Sequence, residues 1–73
     1  VPLGSNLKFQ CMVLAEKHRW YEVIVKIENN LDKISGSYRV EFLRILVRAY
    51  GELGDLEKAR ELNQILQEQA EAL

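Results

Sequence analysis

Leu7, Cys11, Leu14 and Ala15 fall on one face of an α-helix, with Ser5 or Asn6 available as its cap. Phe9, Met12 and Val13 add a second apolar face, which predicts that this first helix touches neighbours on two sides. Lys17-His18-Arg19 interrupts the pattern. Trp20, Val23, Ile24, Ile27, Leu31 and Ile34 restart it in a new phase, which reads as a second helix after a tight turn. Asn29, Asn30 and Asp32 are poor helix formers and loosen its end. Ser35-Gly36-Ser37 is the stop, Gly36 suiting a left-handed C-terminal position and Ser37 the next N-cap.

A third helix is expected from about Tyr38 to Leu53. Its apolar residues wrap most of the circumference, Glu41, Arg44, Arg48 and Glu52 gather in one narrow stripe, and Arg39 alone falls elsewhere. A helix so apolar must be covered on several sides, which makes it the central helix. Gly54 ends it and Asp55 caps a fourth helix, about Leu56 to Ala72, where the early Glu57 suits the helix dipole. The short connections make helices one and two, and three and four, antiparallel neighbours. The fold class is therefore all-α: two antiparallel helix hairpins, residues 6–35 and 37–73, forming one domain. Val1 to Ser5 resembles a tag-cleavage remnant, with a natural unstructured N-terminus as the alternative. On the first reading the rest is a fragment of a longer protein.

The chain has 73 residues and is 48% apolar, too apolar and too balanced in charge for disorder. A lone core of this size supplies only a few kcal/mol, so every apolar face should be in use. With 10 basic and 11 acidic residues there is no electrostatic case for gripping nucleic acid or an acidic membrane. One cysteine excludes an internal disulfide and a cysteine-based zinc cluster, and is consistent with a reducing, cytoplasmic setting. No uncharged stretch is long enough for a membrane span.

An internal repeat emerges at an offset of 36 residues, which aligns His18-Arg19-Trp20 with Gly54-Asp55-Leu56. Leu43 then falls on Leu7, Val47 on Cys11, Tyr50 on Leu14 and Ala59 on Val23, a match of character and not of identity.

In the second hairpin Leu43, Leu46, Ala49-Tyr50, Gly54-Asp55 and Ala59 sit at the spacing of a tetratricopeptide repeat, which residues 38–73 resemble. Val47 and Asn63 depart from that pattern, and the first hairpin lacks both the tyrosine and the turn glycine. The pentatricopeptide pattern, with which Tyr50 to Leu62 is also compatible, is the next candidate. The resemblance implies a short α-solenoid in which Leu43 and Leu46 fill the groove between paired helices, Tyr50 packs across the hairpin and Ala59 permits close approach. It also implies a non-enzymatic scaffold whose concave face binds a protein or peptide partner. That face would include Glu41, Arg44, Arg48 and Glu52, with Lys8 and Gln10 from the first helix as further candidates. Arg44 and Arg48, one turn apart, could receive a carboxylate or an acidic peptide. The plainer reading is a solvated face with an Arg48–Glu52 pair. The lysine–asparagine clamp with which some family members hold chaperone C-termini is not evident, since Ile45 and Val47 offer no amide there.

Other chemistry is sparse. His18 lacks a recognisable catalytic or metal-ligating set and reads as a turn histidine. Cys11 reads as a small hydrophobe and Trp20 as a core anchor, an exposed interface tryptophan being the alternative. No paired-carboxylate motif or phosphate-binding glycine loop is present, so neither an enzyme nor a cofactor or metal is expected. Leu56, Ala59, Asn63, Leu66, Ala70 and Leu73 form a coiled-coil-like seam on the fourth helix, with Leu62 and Ile65 beside it. Leu62, Asn63, Leu66, Ala70 and Leu73 are therefore candidates for self-association or for packing on a neighbouring repeat. Homo-oligomerisation through this helix and the flank of the third is the alternative function. An RNA-binding repeat is the third, weakened by the net charge of −1.

Overall fold

The computed structural model describes residues 3–72 of the chain, and the side chains of residues 6–69 and of Glu71. Four α-helices follow in order: α1 (Leu3–Glu16), α2 (Trp20–Asn30), α3 (Gly36–Glu52) and α4 (Leu56–Ala72), with a 3-10 turn at Leu31–Lys33. The all-α class is as expected, and no strand occurs among the described residues. Each helix packs chiefly on its neighbours in the chain, α1 on α2, α2 on α3 and α3 on α4. The resulting body is flat, with a Cα envelope of 34 × 33 × 17 Å.

The core is apolar throughout the described residues. Trp20, Val23, Ile24 and Ile27 bring the buried face of α2, and Phe42, Leu43, Leu46 and Ala49 that of α3. Leu7 and Cys11 close it from α1 and Leu62 from α4. Helix α3 is central, as its near-continuous apolar surface predicts: it packs on both α2 and α4 and is tied to α1 through Lys8 and Glu41. The second apolar face of α1 behaves differently from expectation. Phe9 and Met12 stay 68% and 55% exposed, and no described neighbour covers them.

The two short connections share one hydrogen-bond pattern. After α1, the His18 N–H donates to the Ala15 carbonyl and the Arg19 N–H to the Leu14 carbonyl, both at 3.0 Å. After α3, the Gly54 N–H donates to the Gly51 carbonyl at 3.1 Å and the Asp55 N–H to the Tyr50 carbonyl at 2.9 Å. Both are Schellman ends, which satisfy the last carbonyls of a helix by placing one residue in the left-handed region. Those residues are His18 at φ 58° and Gly54 at φ 83°. The bonds that open the next helices, Val23 to Arg19 and Ala59 to Asp55, correspond as well. Donors, acceptors and helix ends therefore recur at the 36-residue offset read from the sequence.

The elements between α2 and α3 differ from the sequence reading. Helix α2 stops at Asn30, whose side-chain amide turns back to donate to the Lys26 carbonyl at 2.8 Å. Ile34 is buried from extended backbone and not from a helix. Ser35, not Ser37, is the extended N-cap residue of α3, and Gly36 takes its left-handed φ of 65° as the first residue of α3 instead of the last of α2. Helix α1 begins at Leu3, so neither Ser5 nor Asn6 is its cap. Asp55 does cap α4, its Oδ1 accepting from the Lys58 N–H at 3.2 Å.

Candidate functional site

Glu41, Arg44, Arg48 and Glu52 occupy one side of α3, because residues three and four apart stack along a helix. Tertiary contacts then separate them. Glu41 is half-buried, and its Oε1 accepts from Lys8 Nζ at 3.1 Å, joining α1 to α3. The pair is too exposed to contribute more than about 1 kcal/mol, and its effect is chiefly on how the two helices are set against each other. Arg44 and Glu52 are exposed. The Arg48 guanidinium carbon lies 5.3 Å from the centroid of the Trp20 ring. No ion pair joins Arg48 to Glu52 among the described residues; the cation is drawn to the indole face of α2 instead.

Trp20 is 7% exposed, a core anchor with the Arg48 guanidinium over its ring. The His18 ring meets it edge-on, with centroids 6.2 Å apart. His18, Trp20 and Arg48 line a cavity of about 300 Å³ together with Ala15 and Glu16. A carboxylate entering there would meet the Arg48 donors and the opposing charge of Glu16. Of the two α1 candidates, Lys8 joins the stripe through Glu41, whereas Gln10 lines a separate groove of about 350 Å³ with Phe9, Val13, Leu14 and Lys26.

The apolar face of α4 is divided between a covered and an open side. Leu62 is the buried residue and Ala59 and Leu66 are half-buried, while Asn63 is exposed and Leu56 is 57% exposed. Helix α4 thus meets α3 along the Leu62 side, and the Leu56–Asn63 side opens into a groove of about 310 Å³ lined by Val47, Leu56, Ala59, Arg60 and Asn63. The side chain of Ala70, and Leu73 altogether, lie outside the described residues.

Two interactions escape the sequence pattern. The Tyr50 hydroxyl donates to Glu28 Oε2 at 2.6 Å, so its polar end reaches back to α2 and not to α4. Burial and the neighbouring Glu28 carboxylate push this phenol up to about 12. Arg39 Nη1 donates to the Leu31 carbonyl at 2.9 Å, closing the end of α2. Its place off the charged stripe was the available signal. Cys11 is fully buried, and burial raises its thiol pKa, against a smaller lowering by Lys26.

No group of three His, Cys, Asp or Glu side chains is placed to hold a metal ion among the described residues. No described helix is long and apolar enough to cross a membrane. Compared with protein-family models, with curated proteins and with solved structures, the chain matches none.

Proposed function

We propose that the chain is a non-enzymatic protein-interaction module: two antiparallel helix hairpins stacked as a short tetratricopeptide-like solenoid that receives an acidic peptide along α3. The observation that carries the reading is the recurrence of one turn, with its donors, acceptors and helix ends, at an offset of 36 residues. Buried Leu43 and Leu46 and the left-handed Gly54 support it, since these are positions at which the repeat pattern needs bulk and a turn. Arg44 would offer the exposed cation and Arg48 a second one turn further on, held against Trp20.

Trp20 is the single tryptophan and Arg48 lies over it, so its emission reports on that arginine. Titration with a labelled octaglutamate peptide should change both Trp20 emission and the anisotropy of the peptide. Arg44→Glu with Arg48→Glu should abolish binding while the far-UV circular dichroism stays unchanged. Absence of binding by the unmodified chain to this peptide would remove the acidic-peptide reading.

A homo-oligomerisation domain built on α4 is the second reading, favoured by the exposure of Leu56 and Ile65 on that helix. In that case Leu66→Glu should lower the molar mass in solution, and peptide binding should not depend on Arg44.

A further inference from the structure

The two open grooves correspond to the two sides of a contact that the chain already makes within itself. Moved back by 36 positions, Val47, Leu56, Ala59, Arg60 and Asn63 become Cys11, Trp20, Val23, Ile24 and Ile27. All five of these are buried, on α1 and α2, in the core that α3 completes. Moved forward by the same offset, Phe9, Gln10, Val13, Leu14 and Lys26 become Ile45, Leu46, Ala49, Tyr50 and Leu62. Of these, Leu46, Ala49 and Leu62 are buried and the other two are half-buried against the core. One groove thus repeats the surface on which the second helix pair sits. The other repeats the surface by which that pair sits down.

We infer that the chain associates head to tail with a second copy of itself, the α4 groove of one copy receiving α1 of the next as α2 receives α3. The residues exposed at the two ends suit this occupant. The internal contact pairs Arg48 with the Trp20 ring, and the corresponding positions are Met12 and Leu56, both more than half exposed. A cation on an aromatic face is thus replaced by two apolar side chains that would cover one another. Val13 stands where Ala49 packs, and Phe9 where Ile45 does.

The contact is weaker than its internal counterpart, because Arg60 and Asn63 replace Ile24 and Ile27, and Gln10 and Lys26 replace Leu46 and Leu62. Burying these groups costs free energy unless they find partners. Such a contact uses different patches on the two copies and leaves one of each free on a dimer, so mass should grow with concentration and not stop at a dimer. The inference rests on the 36-residue correspondence and is independent of peptide binding at Arg44.

Sedimentation equilibrium over a concentration series tests it. The unmodified chain should rise above its monomer mass of 8.5 kDa as concentration increases. Val13→Glu damages only the α1 face and Leu56→Glu only the α4 face, and each alone should remain monomeric. Mixed, they should form a one-to-one dimer that grows no further, since each retains the face that the other has lost. Met12→Glu serves in place of Val13→Glu if circular dichroism shows the latter to be misfolded. Arg60→Ile, which restores the residue of the first helix pair, should tighten association by about tenfold or more. A monomer at every concentration overturns the inference, as does a mixture that stays monomeric. Dimerisation of Val13→Glu alone also overturns it, and points to a symmetric contact between two α4 helices.

Discussion

The Tyr50 hydroxyl and the Glu28 carboxylate form a 2.6 Å hydrogen bond that ties the last turns of α3 to α2. The phenol must keep its proton to make this bond. Its pKa is raised from 10 to about 12 in the folded chain by burial first and then by Glu28. A group with a raised folded pKa contributes stability that is fully present below its unfolded value and is lost as pH rises through the folded one. Stability should therefore fall between pH 10 and about 12. Tyr50→Phe should cost about 0.5–1.5 kcal/mol at neutral pH and flatten that alkaline fall. Urea denaturation at neutral and alkaline pH checks both parts.

Gly51 and Gly54 should respond to alanine in opposite directions. Gly51 lies inside α3, and a Cβ added there meets nothing within 4 Å, so Gly51→Ala should stabilise by roughly 0.4–1 kcal/mol. Gly54 has equal space but a φ of 83°, so Gly54→Ala should destabilise by about 1 kcal/mol. In a domain of this size such changes move the melting temperature by about 4–8 °C per kcal/mol.

The first turn can be improved by copying the second. His18 occupies the left-handed position that Gly54 fills, and Arg19 stands where Asp55 caps α4, without a capping bond of its own. His18→Gly should gain up to about 1 kcal/mol, less whatever its edge contact with Trp20 contributes. Arg19→Asp should add about 0.5–2 kcal/mol through a new N-cap, after losing a long exposed ion pair to Glu22. His18→Ala is the control, since it removes the ring and keeps the strain. Thermal denaturation ranks the three.

Cys11 should be inert in the folded chain. It is fully buried and its thiol is raised by burial, whereas reaction requires an accessible thiolate. Labelling by a chromogenic disulfide reagent at neutral pH should proceed only through opening of the α1–α2 packing. Destabilising Phe42→Ala, which empties the largest fully buried position at a cost of about 3–5 kcal/mol, should accelerate it strongly. Fast labelling of the unmodified chain would show that α1 opens independently of the core.

What was legible from residue order is mostly local. The breaks at Lys17-His18-Arg19 and Gly54-Asp55 depend on turn chemistry within a few residues, and both helix ends there fall where that chemistry puts them. The Asp55 cap and the burial of Leu43 and Leu46 are of the same kind. What was not legible depends on which helices meet. Arg48 and Glu52 are one turn apart in sequence, yet Arg48 finds Trp20, which no spacing rule connects to it. On α4 the seam from Leu56 to Leu73 and the flanking Leu62 and Ile65 read as one wide apolar face, and heptad spacing does not show that α3 covers its Leu62 side and leaves Leu56 and Asn63 open. The stripe on α3 was visible as a stripe, but the division of its members between Lys8, Trp20 and solvent was not.

Because each helix packs chiefly on its neighbour in the chain, the fold is assembled from contacts of small sequence separation. Little loop entropy must be spent before the first contacts form, which places folding in the fast, microsecond-to-millisecond class of helical domains. If the two helix pairs are stacked repeats, as proposed, the α2–α3 contact is also the seam at which cooperativity fails: weakened there, the chain would melt as two helix pairs in succession and not as one unit.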